Sequence, residues 1–151
     1  MGTISAGASS SRFYLDLQKG CPISMIRVAL VEDHREMRLA LRLLLKPSKD
    51  IELVGEASNG QEAVDCVKRL QPDVLVMDIR MPVLDGFAAT QQLADLSLPT
   101  RVILISTEIG EYIARRAAAV GAKGFVPKDH VGTLLLSAIE AVYAGETVFV
   151  E

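Results

Sequence analysis

From Met25 onward, short apolar runs alternate with stretches whose apolar residues recur every three or four positions. Ile26–Val31 is mostly apolar and reads as a strand, stopped by the acidic pair Glu32-Asp33. Residues 34–45 place Met37, Ala40, Leu41, Leu44 and Leu45 on one helical face, with Pro47 beyond the end. Ile51–Ala57 is a second strand, and Asn59-Gly60 turns the chain into a helix carrying Ala63, Val64, Val67 and Leu70, broken by Pro72. Residues 73–77 form a nearly unbroken apolar run, as expected of a central strand covered on both faces. A third helix is predicted over 86–95, a fourth strand over 101–105, and a fourth helix over 110–120 that ends at Gly121 in a left-handed cap. Residues 124–126 are the fifth strand. The last helix runs over 131–144, begins near Asp129 or His130 and stops at Gly145.

Five strand–helix units in succession imply one α/β domain: a parallel sheet with helices on both faces, because parallel strands need right-handed crossovers. The chain has 151 residues, half of them hydrophobic, enough for a buried core. Residues 25–145 are the expected domain. Residues 1–24, rich in Gly and Ser and without a sustained period, read as a flexible leader, an expression remnant or an upstream start. Residues 146–151 read as the start of a linker to an output domain outside this chain.

Charge changes the picture mainly by exclusion. A formal net charge of -3, with acidic and basic residues interspersed, offers no broad cationic face for nucleic acid. The richest apolar stretch, residues 39–45, is interrupted by Arg42 and is far too short to span a membrane. Cys21 and Cys66 match neither a disulfide framework nor a zinc spacing, which fits a reducing, cytoplasmic compartment.

In an open doubly wound sheet, ligands bind beyond the carboxyl ends of the strands. Glu32 and Asp33 follow the first strand, Asp78 the third, Ser106 and Thr107 the fourth, and Pro127 and Lys128 the fifth. Three carboxylates converging on one edge repel one another unless a cation neutralises them, and oxygen ligands favour Mg²⁺ or a similar hard ion. Such an ion together with Lys128 would attract an anion such as a phosphoryl group. His34, next to the acidic pair, reads as a helix-start residue rather than a ligand in this oxygen-rich setting.

The segments Leu30-Val31-Glu32-Asp33-His34, Val74 through Pro82, Asp85-Gly86, Ile105-Ser106-Thr107 and Phe125-Val126-Pro127-Lys128 together resemble the receiver domains of two-component response regulators. The resemblance spans residues 25 to about 145. The stretch from Gly121 to Lys128 is most similar to receivers whose output domain is a helix-turn-helix of the LuxR type. The resemblance implies a flavodoxin-like (βα)5 doubly wound sheet with strand order 2-1-3-4-5. It implies that Asp78 takes a phosphoryl group from a sensor histidine kinase. Mg²⁺ would be held by Asp33, Asp78 and the main-chain carbonyl of Arg80, helped by Glu32. Lys128 and Ser106 would contact phosphoryl oxygens, and Pro82 and Gly86 would shape the adjoining loop. Such a chain catalyses its own phosphorylation and dephosphorylation, yet serves as a signalling switch.

The resemblance further implies that Ser106 moves toward the phosphoryl group while Phe125 turns inward, altering the α4-β5-α5 or α1-α5 surface. Arg80 and Glu108 occupy positions that tune phosphoryl lifetime in the family, and their opposite charges would pair across the mouth of the site. Leu39 and Leu43 on the first helix, with Leu136 and Tyr143 on the last, form a second apolar stripe that marks a candidate homodimer face strengthened by phosphorylation. DNA would be reached through a helix-turn-helix domain outside this chain. Two enzyme readings fit less well. A haloacid-dehalogenase-type phosphohydrolase needs an acid two residues after the nucleophile, where Arg80 stands, and a nucleotide-binding enzyme needs a G-x-x-x-x-G-K-[ST] loop that the sequence lacks. A receiver that binds partners without phosphorylation is the remaining alternative.

Overall fold

The computed structural model describes residues 25–151, so the expectations for residues 1–24 and for Cys21 lie outside it. Six parallel strands form one sheet in the order β2-β1-β3-β4-β5-β6. They are β1 (Ile26–Val31), β2 (Ile51–Ala57), β3 (Val74–Asp78), β4 (Arg101–Ser106), β5 (Gly124–Pro127) and β6 (Val148–Phe149). The helices are α1 (Arg35–Leu45), α2 (Gly60–Leu70), α3 (Gly86–Asp95), α4 (Glu111–Ala119) and α5 (Val131–Tyr143), and a single 3₁₀ turn (Lys128–His130) precedes the last.

Strand alternation sorts the interior into two cores. Leu75 and Met77 of β3 face α2, α3 and α4, whereas Val74 and Val76 face α1 and α5. All five residues of β3 are buried, which explains why its sequence is a continuous apolar run rather than an alternating one. Helix ends follow local chemistry. Asn59 accepts a hydrogen bond from the Glu62 amide at 2.9 Å and Asp85 one from Ala88 at 2.8 Å, capping α2 and α3. Gly121 (φ +105°) and Gly145 (φ +102°) close α4 and α5 with paired carbonyl contacts, the left-handed geometry that glycine accepts without a Cβ penalty.

The sheet departs from the five-strand expectation at its edge. Residues 146–151 were expected to start a linker, but Val148 and Phe149 pair in parallel with Gly124 and Phe125 as β6. Val148 N–H donates to the Lys123 carbonyl at 3.0 Å and Val150 N–H to that of Phe125 at 2.9 Å, so backbone groups of β5 that would otherwise be an open edge are satisfied. Two residues are too short a run to show a periodicity.

Two side-chain expectations also change. Ala40, placed in the core stripe of α1, is exposed, and the helix packs through Leu41 and Leu45 with Met37 and Leu44 partly buried. Leu39 and Leu43 are exposed as expected, at 46% and 61%. Leu136 and Tyr143 instead pack partly buried against the α1/α5 core, so less of α5 is free than the sequence pattern implied. Among the described residues, no helix is long and apolar enough to cross a membrane.

Candidate functional site

The carboxyl ends of β1, β3, β4 and β5 meet at one edge, where the sequence places Glu32-Asp33, Asp78, Ser106 and Lys128. Ligand-capable atoms of Glu32, Asp33, His34 and Asp78 lie within 4.8 Å of one another. Lys128 reaches into the group, its Nζ 2.9 Å from Glu32 Oε1 and 3.3 Å from Asp78 Oδ1. Glu32 is fully buried, Asp78 is 3% exposed and the Asp33 side chain 27% exposed, so water screens little of this charge.

Backbone packing fixes Asp78. Ile79 N–H donates to the Ile105 carbonyl at 3.0 Å, and Gly86 N–H donates to the Ile79 carbonyl at 2.7 Å, tying the start of α3 to the strand end. A Cβ at Gly86 would stand 2.4 Å from the Asp78 carbonyl oxygen, and one at Gly60 would stand 2.0 Å from that of Leu84. Only glycine permits these approaches. Between them the loop makes a tight turn: Leu84 N–H donates to the Pro82 carbonyl at 2.7 Å, with Val83 at φ +71°. A β-branched residue in that region is strained and stands beside the candidate nucleophile.

The electrostatics follow from three acids and one amine. Burial, then the charge of Glu32, raises the Asp78 carboxyl above its ordinary pKa, against the pull of Lys128. Burial opposes the charge on Lys128, but Glu32 and Asp78 outweigh it and raise the ammonium's pKa. Three carboxylates against one ammonium leave two negative charges, the complement of a divalent cation. Glu32 Oε1 and Asp33 Oδ1 are buried and take no well-angled hydrogen bond; the Lys128 ammonium lies 2.9 Å from the first, and His34 Nδ1 stands 3.3 Å from the second. Unsatisfied buried oxygens on a doubly negative cluster fit a hard cation.

The other expected residues surround this centre. Ser106 is 1% exposed, and its Oγ accepts a hydrogen bond from the Glu108 amide at 2.9 Å, which shapes the loop after β4. Arg80 and Glu108 do pair, at 2.7 and 2.9 Å to the two carboxylate oxygens, bridging the loops after β3 and β4. Phe125 is fully buried in the core facing α4. Leu39, Leu43, Leu136 and Tyr143 lie apart from the site, on or beside the α1/α5 layer.

Sequence reasoning missed two contacts. His34 does stand at the helix start, but its Nδ1 also lies 3.2 Å from Glu32 Oε2, which the His34 amide reaches at 3.1 Å. Its position beside the acidic pair was the available signal. Arg38 donates to the Glu32 carbonyl at 2.6 Å and holds the strand end from α1. It lies four residues after His34, one helical turn on, and nothing in its residue type marks that role.

Comparison with known proteins agrees with this geometry. The response regulator receiver domain family matches residues 28–140. A protein-glutamate methylesterase/protein-glutamine glutaminase of Methanosarcina mazei is 44% identical over 108 residues, covering 70% of this chain and 30% of that protein. The transcriptional regulatory protein DesR of Bacillus subtilis is 37% identical over 125 residues, covering 83% of this chain and 62% of its own length. The signal receiver domain of the putative response regulator NarL from Mycobacterium tuberculosis superposes with a TM-score of 0.78 at 34% identity, covering 82% of this chain and 99% of that structure. The chain therefore spans less than two thirds of the length of these two relatives.

Replacing Lys128 tests the charge balance. Lys128→Met strands a fully buried Glu32 carboxylate, so stability in a chelator at neutral pH should fall by about 3–5 kcal/mol. Urea unfolding measures it, and a loss under about 1 kcal/mol would mean that Lys128 does not hold the acidic pair.

Proposed function

The chain belongs to the response regulator receiver domain family, and on that premise we propose that Asp78 is its phosphoryl-accepting residue. The observation that carries the proposal is the convergence of Asp78, Asp33, Glu32 and Lys128 at one buried sheet edge. An Asp78 carboxylate oxygen attacks phosphorus of a sensor histidine kinase's phosphohistidine. The P–N bond breaks, the imidazole leaves, and an aspartyl phosphate remains. Asp33 and Asp78, with Glu32 and the main-chain carbonyl of Arg80, would hold Mg²⁺. When bound, that ion supplies positive charge for the oxygens of the transferring group. Lys128 shifts from carboxylate to phosphoryl oxygen as the new charge forms. Ser106 exchanges its loop hydrogen bond for one to the phosphoryl group, and Phe125, already fully buried rather than turned outward, shifts within the α4 layer toward the space behind it.

The chain is thus a switch that catalyses its own phosphorylation and dephosphorylation. Its placement is cytoplasmic, where it would meet its kinase. Control of transcription is the output that the transcriptional regulatory protein DesR favours, and a LuxR-family response regulator from Aurantimonas, 31% identical, favours a LuxR-type helix-turn-helix domain as its means. The methylesterase relative carries a different output on a similar receiver, so this part of the reading rests on those regulators rather than on the site. DNA would be met by that output domain. Exposed Leu39 and Leu43, with the accessible parts of Leu136 and Tyr143, form the homodimer face that phosphorylation strengthens.

Incubation with acetyl phosphate and Mg²⁺ should give one phosphoryl adduct by intact mass, lost in Asp78→Asn and without the cation. An adduct that survives Asp78→Asn would move the acceptor elsewhere. Arg80 and Glu108 hinder the attacking water, so replacing both with alanine should shorten the aspartyl-phosphate half-life about threefold or more, an effect of about 0.7 kcal/mol on the barrier. An unchanged half-life would reduce the pair to a surface contact. Leu39→Asp should leave phosphorylation intact and shift the phosphorylated protein toward monomer in sedimentation; an unaltered distribution would place the dimer elsewhere.

A further inference from the structure

The chain carries two histidines, and one of them, His34, stands against the acidic cluster. Its Nδ1 lies 3.2 Å from Glu32 Oε2 and 3.3 Å from Asp33 Oδ1. Neighbouring ligands of an octahedral cation of this size stand about 3 Å apart and opposite ones about 4 Å. The two measured separations match an octahedral edge, and the 4.8 Å spread of the four candidate ligands needs only a small contraction to close around one ion. The imidazole can turn to complete it. Nδ1 meets Glu32 Oε2 in a hydrogen bond of 3.2 Å, but the ring is 72% exposed and the backbone amide of the same residue also reaches that oxygen, at 3.1 Å. Although His34 occupies the N-cap position of α1, its side chain makes no capping hydrogen bond, so the helix does not hold the ring back. The second observation lies in the same cluster: Asp33 Oδ1 is buried without a hydrogen bond, and Glu32 Oε1, fully buried, is met only by the Lys128 ammonium at 2.9 Å.

Building on the reading that this cluster holds a divalent cation, we propose that His34 contributes an imidazole nitrogen to it, so that the site favours Mn²⁺ over Mg²⁺ beyond what its carboxylates would give. Mg²⁺ is a hard ion that gains little from a nitrogen ligand, whereas imidazole suits first-row transition ions. His34 therefore sets metal preference at the site without taking part in phosphoryl transfer. Asn is a favoured N-cap residue, which makes His34→Asn a substitution that α1 tolerates while the imidazole is lost.

The test uses the full chain without a polyhistidine tag. Mn²⁺ bound to the wild-type protein should show ¹⁴N coupling from imidazole in pulsed electron paramagnetic resonance, and the coupling should vanish in His34→Asn. In direct titrations, that variant should bind Mn²⁺ about tenfold more weakly and Mg²⁺ less than about threefold more weakly. Bound Mn²⁺ without nitrogen coupling, or coupling that persists in His34→Asn, overturns the assignment while leaving the cation site standing. Mn²⁺ that does not bind, or that binds Asp33→Asn equally well, overturns the cation site and this inference with it.

Discussion

Three carboxylates held out of water around one ammonium are the constraint on which the rest of this structure depends. Glu32 has no exposed surface and Asp78 almost none, so their repulsion is little screened, and Lys128 can answer only part of it. A cluster like this persists because the surrounding fold is stable enough to impose it. The two hydrophobic cores flanking β3 supply that stability, and β3, whose end carries Asp78, is buried along its whole length. The resting site is consequently biased toward positive charge before any partner arrives. Preorganised residues gain most from a charge that appears during reaction, because no reorganisation is needed then.

Position matters as much as charge. Asp78 has its place because Gly86 and Gly60 let backbone approach backbone where any Cβ would collide. The turn at Val83 shows how tightly the intervening loop is drawn, since an exposed β-branched residue adopts a positive φ there only under constraint from both sides. Arg38 and the His34 amide do the corresponding work for Glu32, one at its carbonyl and one at its carboxylate. The loops look irregular in sequence, yet each is short, tied at both ends and aimed at the same few ångströms.

Much of this was readable from residue order. The continuous apolar run ending in Asp78, the acidic pair after β1 and the Pro-Lys after β5 announce a parallel sheet with its chemistry at one edge. Motifs and strand ends coincide because side chains at that edge are all that an open sheet offers a ligand. What escaped was the part decided by tertiary contact. β6 is two residues long and exists because β5 had an edge to satisfy. Ala40 fits an apolar stripe by spacing, but the face of α1 that packs is centred on Leu41 and Leu45, and Ala40 lies outside it. Tyr143 and Leu136 looked like surplus apolar surface until α5 settled against the core. His34 has two roles by position, helix start and neighbour of the acids, and spacing alone cannot rank them.

The two cores also separate the routes by which a change at Asp78 would be felt. Phe125 points into the layer of α4, where Ile113, Ala114 and Ala117 pack through short or branched side chains and Arg116 lies over the Phe87 ring at 4.2 Å. Its neighbour Val126 points into the opposite layer, with α1 and α5. A shift of Ser106 that admits Phe125 movement therefore acts on α4 and has no direct lever on Leu39 or Leu43. Lys128 supplies the other route, because it begins the 3₁₀ turn that leads straight into α5. On the proposed function, a Lys128 that leaves Glu32 for a phosphoryl oxygen would pull on the start of that helix. One charge event at Asp78 would thus have two mechanical exits, one through an aromatic in the α4 layer and one through the amine at the root of α5. A surface built from α1 and α5 would answer to the second.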